Sequence, residues 1–220
     1  GGQGAPITPL ADWVMFRSDD SSTAIVNLGG FCNVTLLPAN CNPESIQGFD
    51  VCCCNLILDA IARQLLEEPF DRDGKEAMQG TPDNDVRDRL LEQLECQRTS
   101  QRSLGTGDDL GNFVLELRGL LSPADLLATT TNAIGTCITN ALSDVDCVYL
   151  AGGGVHNSAL CGAIEHDGTT DDLGVPTQAR EAMAMAILGA LAQDGESITL
   201  SNITGRKETD DPIGWVYARP

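Results

Sequence analysis

The stretch STAIVNLGGFCNVTLLP at residues 22–38 decides the fold, because it joins two β-rich runs through a pair of glycines. Apolar and β-branched residues on either side predict strands over 24–28 and 31–37. A tight connection between them favours positive φ, which glycine and asparagine adopt readily. The sequence therefore predicts a β-hairpin that turns at Gly29 and Gly30. Asn27 and Asn33 flank that turn, and the hairpin alone does not explain them.

Short strands and amphipathic helices follow the hairpin. Residues 45–51 favour a third strand. Apolar spacing of three and four residues predicts helices over 55–68, with Asn55 as the N-cap, and over 86–96. A further helix is expected over 110–120.

The second half of the chain continues the alternation. Ser122, with proline at the next position and Asp125 in the first turn, predicts the start of a helix that ends near residue 142. CVYLAGGG at 147–154 predicts a buried strand that ends in three glycines, followed by a helix from about Asn157. A last long helix is expected over 177–193. One face of this helix is expected to carry Ala179, Ala182, Met183, Ala186, Ile187 and Ala190. The chain therefore belongs to the α/β class, with a mixed sheet and helices on both faces.

Composition excludes several functions. The 220 residues are 42% hydrophobic, which suffices for a large core, and no apolar run approaches the roughly 20 residues that span a bilayer. A net charge of −19 argues against contacts with nucleic-acid phosphates and with anionic membranes. Nine cysteines without zinc-like spacing, in a chain this rich in core residues, indicate reduced thiols and a cytoplasmic protein.

Two glycine-rich turns suggest ligand contacts. At the hairpin, backbone amides beside glycine can approach a phosphate or ribose, although an ordinary turn explains the same residues. At residues 150–157, LAGGGVHN places three glycines between a strand and a helix, where free amides favour an anion or a purine edge. A turn without a ligand remains the alternative. His156 is either a nucleotide contact or a solvated loop residue, and Asp71 with Asp73 either meets Mg²⁺ or forms a solvated turn.

The two turns together resemble the second lobe of the hexokinase, actin and heat-shock ATPase superfamily. Further motifs, in this order and spacing, resemble the anhydro-N-acetylmuramic acid kinase family. They are GGQGAP at 1–6, NLGGFCN at 27–33, GFD…N…LD at 48–59, FDRDGKEAMQG at 70–80, AGGGVHN at 151–157, TTDDLGVPTQAREAMAMAILGAL at 169–191 and NITG at 202–205. The resemblance covers essentially the whole chain.

The resemblance implies a ribonuclease H-like, actin-type ATPase lobe and an ATP-dependent kinase of bacterial cell-wall recycling. The family opens the 1,6-anhydro ring of anhydro-N-acetylmuramate with water and phosphorylates O6, with Mg²⁺ and ATP between two lobes. The implied ATP-binding residues are Asn27, Gly29, Gly30, Asn33, Gly152, Gly153, Gly154 and Asn157. The implied sugar-binding residues are Gly2, Gln3, Gly4, Asp50 and Asn55. A small-molecule sugar is thus the expected partner, and homodimerisation is left open. No residue of the chain is expected to bind a metal ion.

The chain also departs from the family pattern. The family's catalytic aspartate lies just upstream of GGQGAP, so residues 1–220 correspond to a C-terminal lobe with no catalytic residue of its own, which we expect to be inactive alone. Where the family has Gly-Phe-Asp-Thr-Gly-Pro-Gly-Asn, this chain has GFDVCCCN at 48–55, and SLGTGDD at 103–109 lacks the family's basic residue. Only HDG separates Glu165 from Thr169, where the family has another strand. These changes keep open an alternative, a catalytically inactive relative that acts as a binding or assembly module.

Overall fold

The computed structural model describes residues 5–100, 102–142 and 144–205, and its centre is a five-stranded mixed sheet. The strands are β1 (Thr23–Leu28), β2 (Phe31–Leu37), β3 (Gln47–Cys53), β4 (Cys147–Ala151) and β5 (Gly168–Thr169). Their order across the sheet is β3-β2-β1-β4-β5. β1 pairs antiparallel with β2 and parallel with β4, so the predicted hairpin is confirmed and the two glycine-rich turns lie at one end of the sheet.

Helices cover both faces of this sheet. They are α1 (Pro9–Phe16), α2 (Asn55–Leu65), α3 (Asn84–Thr99), α4 (Gly111–Leu117), α5 (Pro123–Ala141), α6 (Ser158–Gly162), α7 (Arg180–Gln193) and α8 (Ser201–Thr204). Alternation along β1 separates two cores, since Ala24 and Val26 face the α2, α3 and α5 side, whereas Ile25 packs with Phe16 of α1. The α/β class and the helices on both faces are confirmed. None of the helices among the described residues has the length and apolar character needed to cross a membrane.

Local signals placed some helix ends correctly and missed others. The Ser122 side chain accepts a hydrogen bond from the Asp125 amide, so the predicted N-cap of α5 is confirmed. The prediction of Asn55 as the N-cap of α2 is wrong, because the cap position is Cys54, whose side chain makes no capping bond.

The buried face of α7 coincides only in part with the face predicted to be apolar, of which Ala179 and Ile187 are half-buried. Ala184 and Leu188 are buried against α1, whereas Ala182, Met183, Ala186 and Ala190 are exposed. The helix has small apolar residues all round, so spacing did not distinguish its faces. Tertiary contact with α1 selects the buried side.

The β5 edge of the sheet is very short. Only Gly168 and Thr169 pair with β4, through Tyr149 and Leu150. The interval between Glu165 and Thr169, where the family was expected to have a further strand, thus contributes only the start of this two-residue strand. Short edge strands offer little backbone for unwanted pairing.

The cysteine run at 52–54 belongs to the core. Cys52, Cys53 and Cys54 are fully buried where β3 leads into α2, together with Cys32 and Cys137. All nine cysteines of the chain are free thiols. Burial raises the pKa of Cys53 to about 12. These thiols therefore behave as small apolar side chains.

Candidate functional site

The hairpin turn supports the start of helix α2. The Gly30 carbonyl accepts hydrogen bonds from the amides of Cys54 (2.9 Å) and Leu56 (3.2 Å), and the Gly29 carbonyl accepts one from the Asn55 amide at 3.1 Å. These bonds satisfy amides that a helix N-terminus otherwise leaves free. Part of the anion-binding capacity of this helix end is thus already used inside the protein.

The glycines of this turn are required for a reason other than the predicted one. Neither Gly29 nor Gly30 has positive φ, so the prediction of a left-handed turn is wrong. A Cβ on Gly30 would stand 3.1 Å from Leu56 Cγ, and one on Gly29 would stand 3.1 Å from the Phe31 carbonyl oxygen. A side chain at Gly30 would be crowded by α2, and one at Gly29 by the backbone of the hairpin itself, so close packing rather than backbone torsion accounts for glycine here.

The three glycines after β4 differ from one another. Gly152 has a φ of +83°, and its Cβ would stand 2.7 Å from Asn27 Oδ1. A Cβ on Gly154 would stand 2.5 Å from Leu28 Cβ, whereas one on Gly153 would meet nothing within 4 Å. Gly152 and Gly154 therefore let the loop pack against the end of β1. Gly153 alone faces open space.

Two asparagines hold this loop in place. Asn55 Nδ2 donates to the Leu28 carbonyl at 3.0 Å, which ties the start of α2 to the end of β1. Asn157 Oδ1 accepts from the Leu160 amide at 3.0 Å and caps α6. Both side chains also line the cleft beside Gly153. Because both side chains form hydrogen bonds within the protein, their role in the structure is to hold the wall of the cleft in place.

A cleft of about 440 Å³ opens beside Gly153. Its lining comes from α2, from the segment after α2, and from the loop that follows β4: Asn55, Leu58, Asp59, Phe70, Asp71, Arg72, Asp73, Gly153, Gly154, His156 and Asn157. The cleft thus joins the predicted nucleotide loop to residues that the sequence did not connect with it. His156 lies in its wall, where Nε2 is 3.0 Å from Gln178 Nε2.

Asp71 is a structural residue of the cleft wall. Its carboxylate is buried and accepts hydrogen bonds from the amides of Glu76 (3.0 Å) and Ala77 (2.9 Å). The interpretation of Asp71 as part of a solvated turn is therefore wrong. Asp73 is exposed and pairs with Lys75 at 3.0 Å. Among the residues that the structure describes, no group of three or more His, Cys, Asp or Glu is arranged to hold a metal ion.

Asp50 lies in a different cleft from Asn55. It lines a larger cleft of about 700 Å³ next to Arg98, Arg102 and Asn140. Its carboxylate accepts a hydrogen bond from the Leu104 amide at 2.7 Å. Burial raises the pKa of Asp50, while this hydrogen bond acts in the opposite direction. Of the residues expected at the sugar, the two that the structure describes, Asp50 and Asn55, thus line two different clefts.

Asn33 is associated with Asp50 rather than with the glycine loop. The two residues are partners across β2 and β3, beside a register shift between Cys32 and Asn33. Asn27 and Asn33 face each other across the hairpin. Gly2, Gln3 and Gly4, the remaining predicted sugar contacts, lie outside the described residues.

A buried ion pair that the sequence did not predict lies near the glycine loop after β4, through Asn27. Arg180 donates to both carboxylate oxygens of Asp12, with Nε at 3.0 Å from Oδ1, and its Nη1 donates to Asn27 Oδ1 at 3.3 Å. Thr35 Oγ1 donates to Asp12 Oδ2 at 2.7 Å. Burial raises the pKa of Asp12, and the Arg180 charge and the Thr35 hydroxyl act in the opposite direction. The pair joins α1 to α7 across 168 residues, so local spacing carried no signal for it.

Comparison with known proteins gives a consistent result. The family model described as anhydro-N-acetylmuramic acid kinase matches residues 1–218. The anhydro-N-acetylmuramic acid kinase of Salinibacter ruber is 36% identical over 223 residues, which cover 93% of this chain and 56% of the relative. The enzyme of the same name from Gloeobacter violaceus is 34% identical over 231 residues, which cover 99% of this chain and 61% of the relative.

A solved structure, the activator of the 2-hydroxyisocaproyl-CoA dehydratase from Clostridium difficile with bound ADPNP, aligns with a TM-score of 0.46 and 15% identity. The alignment covers 82% of this chain and 67% of that one. The chain spans less than two thirds of the length of the two curated relatives.

Proposed function

This chain belongs to the anhydro-N-acetylmuramic acid kinase family, and from that premise we propose that it is the C-terminal, nucleotide-binding lobe of such a kinase. The proposed reaction uses ATP to open the 1,6-anhydro ring of anhydro-N-acetylmuramate with water and to phosphorylate O6. The product is N-acetylmuramate 6-phosphate, and the process is bacterial cell-wall recycling in the cytoplasm. The lobe supplies nucleotide contacts and part of the sugar site. It is inactive without a preceding lobe that carries the aspartate base.

The open face of Gly153 is the observation that carries the proposal. A Cβ there meets no protein atom within 4 Å, and the residue borders a cleft large enough to hold a nucleoside. Backbone can approach a ligand most closely where no side chain intervenes. The chemistry of this family makes ATP the ligand that fits such a surface.

The charge of the cleft limits which part of ATP it holds. Asp59, Asp71 and Asp73 line it together with a single arginine, Arg72. Carboxylates repel a triphosphate, so the base and ribose belong in the cleft and the phosphates extend toward the hairpin turn at Gly29 and Gly30. This division preserves the expected role of each glycine motif.

Mg²⁺ is proposed to arrive with the nucleotide. In phosphoryl transfer it bridges phosphate oxygens and neutralises their developing charge. Magnesium commonly binds through substrate phosphates, water and one or two carboxylates, so it does not need a cluster of protein ligands. The role of this lobe is then to position ATP, because phosphoryl transfer depends mainly on positioning and charge stabilisation.

The sugar site is proposed to include Asp50. Its carboxylate lies in the cleft of about 700 Å³ and is fixed by the Leu104 amide. A fixed carboxylate is a suitable acceptor for sugar hydroxyls. Asn55 is proposed to support the sugar site only indirectly, because its amide is bonded to the end of β1.

The test uses the complete product of the gene that encodes this chain. Mg-ATP binding is measured by calorimetry for the unsubstituted protein, for Gly153→Val and for Gly162→Val. Gly162 is a matched control, because its Cβ would also meet nothing within 4 Å but it lies outside the cleft lining. We expect at least tenfold weaker ATP binding for Gly153→Val only. Equal ATP affinity in all three proteins contradicts the proposed nucleotide site.

Formation of N-acetylmuramate 6-phosphate, followed by mass spectrometry, tests the reaction itself. We expect product from the complete protein and none from residues 1–220 alone. Turnover by the 220-residue chain contradicts the assignment of the catalytic base to a preceding lobe.

A second candidate is a catalytically inactive relative that acts as a binding or assembly module. It is favoured by the full burial of Cys52–Cys54, where the family has a glycine-rich segment. That candidate predicts ATP binding by the complete protein without product formation. The same two assays therefore distinguish the candidates.

A further inference from the structure

An exposed aromatic ring stands at the wall of the Gly153 cleft. Phe70 is 44% exposed and lines the cleft together with Gly153. The chain contains only nine aromatic residues, five of them phenylalanines. Single exposed apolar residues are common and need no explanation on an open surface. An exposed ring in the wall of a ligand-sized cleft is a different situation, since part of the ring is accessible to a ligand that enters the cleft.

The segment that carries Phe70 packs closely against the residues that follow the glycine loop. Asp71 closes the turn that follows through its bonds to the amides of Glu76 and Ala77. Gly74 then packs so closely on α6 that a Cβ there would stand 2.2 Å from Asn157 Oδ1 and 2.9 Å from the Ala159 amide nitrogen. Asn157 is itself the cap of α6, directly after the glycine loop. This packing connects the segment that carries Phe70 to the residues that follow Gly153.

Arg72 completes the wall. Its guanidinium carbon lies 5.3 Å from the centroid of the Phe70 ring, within the range of a cation–π interaction. The planar guanidinium and the aromatic ring both offer flat surfaces on which a nucleobase can stack. Both residues line the cleft together with an otherwise acidic set, Asp59, Asp71 and Asp73. A flat, uncharged ring is the ligand group that suits this combination.

We propose that Phe70, with Arg72 over its ring, is the stacking platform for the base of the bound nucleotide and favours a purine. The proposal rests on the proposed function, in that it assigns the base end of ATP to this cleft. It adds a residue that determines nucleotide specificity on the segment after α2. A larger base offers more stacking surface, so ATP should bind more tightly than a pyrimidine nucleoside triphosphate.

The test compares ATP, CTP and inorganic tripolyphosphate on the complete gene product by calorimetry. Phe70→Ala should weaken ATP binding roughly tenfold and reduce the preference for ATP over CTP, because base–aromatic stacking is lost. Tripolyphosphate affinity should not change. Arg72→Ala should weaken ATP binding about two- to fivefold. Met78→Ala is the matched control, since Met78 is 56% exposed on the same segment but lies outside the cleft lining.

A second pair of variants separates the effect of aromatic stacking from the effect of an apolar side chain. Phe70→Leu keeps an apolar side chain but no aromatic face, and it should weaken ATP binding nearly as much as Phe70→Ala. Phe70→Trp should bind ATP at least as tightly as the unsubstituted protein. ATP affinity that is unchanged in Phe70→Leu overturns the platform.

The outcomes also separate this inference from the proposed function. If Gly153→Val abolishes ATP binding while both Phe70→Ala and Phe70→Leu retain it, the platform is overturned and the nucleotide site stands. If the complete unsubstituted protein binds no ATP, both proposals are overturned.

Discussion

Asn27 and Gly152 meet at the carboxyl ends of neighbouring parallel strands, where Asn27 Oδ1 lies 2.7 Å from the position that a Cβ on residue 152 would take. This contact brings the hairpin motif and the glycine loop together. Arg180 Nη1 donates a hydrogen bond to Asn27 Oδ1 at 3.3 Å, and Arg180 is itself paired with Asp12. The candidate nucleotide loop thus rests on a buried polar network that spans three elements.

Replacement of Gly152 by alanine should destabilise the fold through two effects, backbone strain and the clash with Asn27. Gly152 has a φ of 83° and a ψ of 178°, a backbone region almost restricted to glycine in which another residue costs roughly 1–3 kcal/mol, and the clash should add about as much again. Gly174 is the control, because it has a φ of +81° but nothing within 4 Å of its Cβ. Chemical unfolding should therefore show a larger loss for Gly152→Ala than for Gly174→Ala. Equal losses would mean that the loop can move away from Asn27.

Removal of one partner of the Asp12–Arg180 pair should cost about 3–5 kcal/mol of unfolding free energy. The reason is that Arg180, only 3% exposed at its side chain, would be left as a buried charge without its carboxylate. Chemical unfolding of Asp12→Ala measures the effect. Asp12→Leu combined with Arg180→Met removes both charges and should recover part of the loss.

The matched control for that experiment is the pair of Asp59 and Arg63 at 3.9 Å, which is considerably more exposed. Arg63→Ala should change the unfolding free energy by less than about 1 kcal/mol. A similar loss in Asp12→Ala and Arg63→Ala would argue against a special role for the buried pair.

Thiol reactivity should follow burial along the chain. Cys96 is exposed, whereas Cys52, Cys53 and Cys54 are fully buried and burial raises the pKa of Cys53 to about 12. Ellman's reagent should therefore modify Cys96 first and reach residues 52–54 only after denaturation. Cys96→Ser should remove the fastest phase. Rapid labelling at residues 52–54 in the native protein would contradict their assignment to the core.

Restoration of the family's Thr-Gly-Pro-Gly at residues 51–54 should mainly lower stability. The Cys53 amide donates to Gln97 Oε1 at 2.8 Å, a bond that proline cannot make, and the side chains of four buried residues, Val51 and Cys52–Cys54, would be lost or altered. We expect roughly 1–3 kcal/mol for each lost buried side chain. Thermal melts and kinetics on the same variant of the complete protein measure both effects. A large gain in rate without a lower melting temperature would show that the segment acts at the ligand.

Asp108 should contribute to the acid sensitivity of the fold. A hydrogen bond from Arg102, at 2.8 Å, and one from the Gly105 amide lower the pKa of Asp108 to about 2 from an ordinary 3.8. Because the folded-state pKa is depressed, the stabilisation is present above pH 3.8 and is lost as the pH falls toward 2. Asp108→Asn and Arg102→Gln should both flatten this dependence in unfolding titrations. An unchanged acid dependence in both variants would contradict the prediction.

The amino-acid sequence by itself determined the elements that depend on neighbouring residues. The hairpin, the Ser122 cap of α5 and the strand before the three glycines are confirmed, since periodicity and capping operate over a few residues. The family was also recognisable, because its motifs occur in order along the whole chain.

Tertiary structure alone decided which residues share a site and which faces are buried. In the folded protein Asp50 and Asn55 line different clefts, whereas Phe70 and Gly153 line the same one. Asp12 forms a buried ion pair with Arg180. The tertiary structure also showed that Gly30 is needed for the approach of α2 and not for positive φ. These relationships depend on the distances between residues that are far apart in the chain. The packing of α1, α2 and α7 on the sheet sets those distances, and local sequence spacing does not encode them.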